Sequence, residues 1–187
     1  MTATPAASPA RARRILLLIV VMFMLPPLIA MALYLSGWRP DPGETRNFGE
    51  LLPAPIDLQA LAPRQADGGA FAWEPQERNW HVVVEAPANC GEPCARMLDT
   101  LHRVWQAEGR HADRMFVLWA GELPEGPRWR TLVPLGENPE LLAALPERAT
   151  PAALPVYLID GRGFLVMRYA PGFDPSGLRK DLARLLK

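Results

Sequence analysis

The chain has 187 residues, with 20 basic and 20 acidic side chains, three histidines and two cysteines, and 49% of it is apolar. A formal charge of zero offers no basic face for nucleic acid, and this apolar content is far too high for a disordered chain. Residues 38–187 suit one domain with an ordinary core, which excludes a large enzyme and a multi-domain receptor.

The first predicted element is the uncharged run Ile15–Leu35, which as a helix would span roughly 31 Å, the thickness of a bilayer's hydrocarbon core. Arg11, Arg13 and Arg14 precede it, and the first acid is Asp41. Positive charge stays cytoplasmic, so residues 1–14 read as a cytoplasmic tail, 15–35 as a single-pass anchor in the inner cell membrane, and the rest as periplasmic. Pro26 and Pro27 permit a kink in a spanning helix. Ile15–Leu25 also fits a signal-peptide core, with Ala30-Met31-Ala32 as its cleavage site, but the apolar run continues to Leu35 and favours a retained anchor. Either way the domain is exported to a compartment that permits disulfides.

Residues 36–46 are polar and rich in Pro and Gly, a linker ahead of a domain at 47–187. Asn47–Leu61 shows only short apolar runs split by Pro53 and Pro55, and Asp67-Gly68-Gly69 marks a turn with a small hairpin. Trp80–Ala86 is the strongest strand, its three valines suited to burial on both faces. Cys94–Glu108 is helical, with Cys94, Met97, Leu98, Leu101, Val104 and Trp105 on one face. Met115–Trp119 is a second buried strand and Asn138–Leu145 a short helix. Val156–Asp160 and Phe164–Tyr169 are strands joined by Gly161-Arg162-Gly163. Asp174-Pro175 caps a last helix, which packs Leu178, Leu182, Leu185 and Leu186 inward. A parallel βαβ unit, an antiparallel hairpin and a closing helix make an α/β chain of thioredoxin-like fold.

Cys90-Gly91-Glu92-Pro93-Cys94 falls between the first buried strand and its helix, where α/β sheets gather reactive groups. Pro93 suits the first helical position and puts Cys94 in the first turn, where the helix N-terminus favours a thiolate. Glu92 works against that. The expected division is Cys90 exposed and attacking, Cys94 sheltered and resolving. A purely structural bridge is the alternative, but a ring this small contributes only about 2 kcal/mol. Pro155 sits just before a strand, where thioredoxin-like folds often carry a cis-proline facing the reactive cysteine; the sequence does not fix its isomer. His81, His102 and His111 lie too far along their elements to join the cysteines and read as packing or surface residues.

The C-x-x-x-C loop before a helix, the N-terminal anchor and the run Val156-Tyr157-Leu158-Ile159-Asp160-Gly161 resemble the Sco/SenC branch of thioredoxin-like proteins. Membrane-tethered members of that branch assist cytochrome c oxidase assembly by delivering copper to the dinuclear copper centre or by reducing its cysteines. The resemblance implies that Cys90 and Cys94 are the functional pair and Cu(I) ligands, and that the partner is a cysteine-bearing oxidase subunit. Two departures stand out. The branch carries a histidine shortly before the strand at Val156, where this chain has Thr150-Pro151-Ala152-Ala153-Leu154-Pro155, and Ala95 replaces the proline that usually follows the second cysteine. Two thiolates alone suit Cu(I) and not Cu(II), and Met97 reads as core rather than as a third ligand. No other cofactor is implied. The alternative functions are a general periplasmic thiol-disulfide oxidoreductase of the cytochrome c maturation type and a non-catalytic assembly scaffold with a structural disulfide.

Overall fold

A long apolar run without glycine favours the helix, and in the computed structural model α1 spans Pro9–Leu35, running through Pro26 and Pro27. It starts six residues ahead of the expected span and takes in the three arginines. Every described side chain from Ala10 to Leu35 is exposed, and the helix is long and apolar enough to cross a membrane. The structure describes residues 9–36, 47–150 and 153–187; the start of the expected tail and linker positions 37–46 lie outside the described residues.

The second unit is built on a six-stranded sheet of order β1-β6-β5-β2-β3-β4. At its centre β2 (Trp80–Glu85) pairs parallel with β3 (Met115–Ala120), and α2 (Glu92–Ala107) is the crossover between them. On the other side of β2 comes β5 (Val156–Ile159), antiparallel, followed by β6 (Phe164–Tyr169). Both edge strands escape the sequence reading. β1 (Glu50–Asp57) carries Pro53 and Pro55, is mostly exposed, and changes register against β6 between Leu51 and Ile56. An edge needs no donor on its outer side, so proline is tolerated there, but the alternation that signals a strand is lost. β4 (Leu132–Leu135) has only four residues and contains Pro134.

Val82, Val83 and Val84 are fully buried, one set of strand side chains on each face of the sheet. Val82 and Val84 join Val117, Trp119, Val156 and Leu158 beneath α2 and α4 (Pro175–Leu185), which contribute Leu98, Leu101, Leu178 and Leu182. Val83 packs on the other face with Leu118, Tyr157, Leu58, Phe71 and Leu141, the last from α3 (Pro139–Ala144). The turn at Asp67-Gly68-Gly69 forms, but only one isolated bridge, Arg64 to Ala70, stands where a hairpin was expected. Phe71 and Trp73 beyond it close over His81 instead.

His81 lies within 5.1–5.7 Å, centroid to centroid, of the rings of Phe71, Trp73 and Phe116, and its Nδ1 donates to the Asp160 carbonyl at 3.2 Å. Burial disfavours the charged imidazolium and holds its pKa down at about 4, against an ordinary 6.5. The unfolded chain therefore binds a proton that the folded one refuses as pH falls from about 6.5 to about 4, and stability drops across that window. Denaturant unfolding of the full-length chain should show about 2 kcal/mol less stability at pH 4.5 than at pH 7 from this group, a loss removed in His81→Phe.

Candidate functional site

The cysteines sit where the central strand hands over to its helix. β2 ends at Glu85, Ala86 donates its N–H to the Ala120 carbonyl at 2.7 Å, and the chain then turns sharply away from the sheet. Two left-handed residues flank Cys90: Asn89 at φ 59° and Gly91 at φ 53°. Asparagine and glycine are the residues that enter this region most readily. Gly91 caps α2, Pro93 stands in its first turn, and Cys94 follows. The two Sγ atoms are bonded at 2.09 Å with Cα atoms 5.6 Å apart.

The expectation of an exposed Cys90 is not met. Cys90 is 7% exposed and Cys94 2%, and both belong to the core cluster that includes Val84, Ala86 and Leu154. The loop packs against the core at the end of β2, with Leu98, Leu154 and Val156 in the same cluster, instead of standing in solvent. Access comes through an open cavity of about 400 Å³, lined by Pro87, Asn89, Cys90, Gly91, Cys94, Glu122 and Pro124. On the other flank, Pro93, Met97, Thr100, Leu154 and Phe173 line a groove of about 350 Å³. Met97, expected in the core, is half-buried there. Leu154-Pro155 is buried and its peptide bond is trans, so Pro155 is not the cis residue that thioredoxin-like folds often carry. Pro151 and Ala152 in the preceding segment lie outside the described residues.

Glu122, Pro124 and Asn89 are site residues that the sequence reading did not pick out. The Asn-Cys-Gly triplet is a legible signal of a left-handed turn around Cys90. Glu122 follows the carboxyl end of β3, the edge of the sheet where sites form, but nothing else marks it. Its backbone is fixed firmly. The fully buried Trp119 donates its indole N–H to the Glu122 carbonyl at 3.1 Å. Gly121, at φ 107°, passes so close to β2 that a Cβ would stand 2.3 Å from the Ala86 carbonyl oxygen.

Charges around the bridge are mostly paired. Glu92, in the first turn of α2, engages Arg96 one turn on, so its opposition to a thiolate is partly cancelled. Glu85, buried at the end of β2, engages Arg148 and accepts from the Ala149 N–H at 3.4 Å. The histidines are elsewhere: His81 faces the Phe71 side of the sheet, His102 clusters with Trp105 and Trp129, whose rings also meet each other, and His111 meets Arg110. Among the described residues no three His, Cys, Asp or Glu side chains group as metal ligands, which leaves the two sulfurs as the soft donors of the site.

A protein-family model described as transmembrane-like, thioredoxin-like, C-terminal domain matches residues 80–187, more than half of the chain. Solved structures similar to it include Trgpx in its apo form (15% identity, TM-score 0.49, covering 70% of this chain and 95% of that one). They also include BsSco, a member of the Sco family of cytochrome c oxidase assembly proteins (10% identity, TM-score 0.48, 71% and 92% covered). A third is Xanthomonas campestris peroxiredoxin Q (12% identity, TM-score 0.40, 74% and 95% covered). No curated protein sequence matches the chain.

Proposed function

We propose, for a chain that belongs to the transmembrane-like, thioredoxin-like C-terminal domain family, a membrane-tethered protein that exchanges thiols and disulfides with a partner's cysteines. The observation that carries this reading is the placement of the Cys90–Cys94 bridge, at the N-terminus of α2 and on the wall of a cavity open to solvent. A bridge between residues four apart adds only about 2 kcal/mol to a domain with two extensive core clusters, so stability alone is a weak reason to have it.

Reaction starts from the reduced pair. The Cys90 thiolate attacks one sulfur of a partner disulfide, and the other partner sulfur leaves as a thiolate. Cys94 then gives up its proton to water and attacks Cys90 Sγ, releasing the partner's second thiolate and closing the bridge. Two electrons pass to the partner, and the reverse sequence returns them. The free N–H groups at the start of α2 favour each thiolate as it forms.

Three arginines in the first turns of α1, ahead of its uncharged run, support an exported domain on a single-pass anchor. The resemblance to Sco/SenC proteins supports a partner among the cysteine-bearing subunits of cytochrome c oxidase. The reduced pair, two soft sulfurs close together, suits Cu(I) as cargo; the donor set lacks the histidine that Cu(II) would favour. The test is redox equilibration of the full-length chain: the bridge of an exchange protein opens and recloses with glutathione, and a bridge that glutathione leaves intact contradicts the reading.

A further inference from the structure

We infer that Glu122 selects the partner by charge, so that the cysteine exchanging with Cys90 is one flanked by lysine or arginine. This deepens the exchange reading and rests on it.

Glu92, Glu85 and Glu147, the carboxylates on neighbouring segments, are occupied by Arg96, Arg148 and Arg168 within the protein. Glu122 differs. Among the described residues no cation or side-chain donor bonds its carboxylate, and it is the one charged residue on the wall of the disulfide cavity. Its segment is not a loose loop. Trp119 and Gly121 fix its backbone, and the Arg128 guanidinium is spent on the carbonyls of Pro124, Gly126 and Pro127. Glu125, three positions on, carries the same sign as Glu122.

A volume of about 400 Å³ is about 9 Å across if round, less than the ~10 Å over which salt at 0.1 M screens a charge. Because both sulfurs are buried, a partner's cysteine reaches them through this opening, and the residue beside that cysteine passes Glu122. A cation there is attracted and an acid repelled. Glu122 is exposed, so the preference is modest and sensitive to salt.

The test uses the oxidised full-length protein in detergent and two short peptides, whose single cysteine is flanked by lysines in one and glutamates in the other. One peptide thiolate attacks Cys90 Sγ and releases Cys94, which takes up a proton. A second peptide thiolate then attacks the bound peptide's sulfur, freeing Cys90 and leaving a peptide disulfide. Each rate is divided by the same peptide's rate with a small neutral disulfide, which removes the difference in thiol acidity. The expected corrected ratio is about fivefold for the lysine peptide at low salt, falling towards one in 1 M salt and in Glu122→Gln. Equal rates in the unsubstituted protein, or a ratio that Glu122→Gln leaves intact, overturn the assignment. Failure of both peptides to open the bridge overturns the exchange reading as well.

Discussion

Cys94→Ser is expected to stop turnover while leaving Cys90 able to form, and then hold, a mixed disulfide with its partner. Serine cannot attack the Cys90 sulfur, so the resolving step disappears and catalysed exchange falls by at least about 10³-fold. Cys90→Ser removes the attacking sulfur and should lose exchange equally, but with no trapped species. The asymmetry follows from Cys94 lying deeper and inside the helix, at 2% exposure, while Cys90 stands ahead of it in the turn made by Asn89 and Gly91. Losing the bridge costs about 2 kcal/mol at most, so both variants should keep the fold. Mass spectrometry of each variant after incubation with a peptide disulfide reads the result. A trapped adduct on Cys90→Ser instead of Cys94→Ser would reverse the assigned roles.

The largest loss of stability is expected at Asp181, on the inner side of α4. Its carboxylate is 2% exposed and takes hydrogen bonds from the backbone N–H groups of Phe48 and Gly49 at 2.7 and 3.1 Å and from the Tyr169 hydroxyl at 2.9 Å. It thereby joins the first residues of the domain to β6 and the closing helix. The fit is close on both sides. A Cβ on Gly49 would meet Met167 and Tyr169, and one on Gly177 would meet the Phe48 side chain, each under 3 Å. Burial first, and then the Asp181 carboxylate it bonds, hold the Tyr169 hydroxyl protonated far above its ordinary range. Asp181→Ala leaves two buried donors, the Gly49 N–H and the Tyr169 hydroxyl, and the part-buried Phe48 N–H without a partner, each buried one worth about 1–3 kcal/mol. The expected loss is about 4 kcal/mol, or roughly 10 °C in Tm, by thermal unfolding of the full-length chain. Tyr169→Phe removes one donor and should cost about 1 kcal/mol. A loss below 1 kcal/mol for Asp181→Ala contradicts this account of how the domain's first residues are held.

Elements with a clear period were legible in the sequence. The three valines of β2, the apolar stripe of α2 and the Asp174 cap of α4, whose carboxylate accepts from the Ser176 N–H, all stand where pattern places them. The edges were not, because β1 and β4 carry prolines and have one unpaired side, which erases alternation. The cysteine pair was legible from spacing alone, but its burial was not. Cys90 is buried in a cluster that includes Leu154, some sixty residues later in the chain, which no local pattern contains. Glu122 escaped for the same reason: it meets the cysteines only through the parallel pairing of β2 with β3.

The reduction potential of the Cys90–Cys94 couple measures whether this bridge is a tool or a fixture. Equilibrating the full-length protein with dithiothreitol redox buffers and counting thiols by alkylation and mass gives it directly. An exchange pair is expected between about −120 and −300 mV, in the range of working thiol-disulfide proteins. A midpoint well below about −300 mV would mark a permanent structural link and contradict the account.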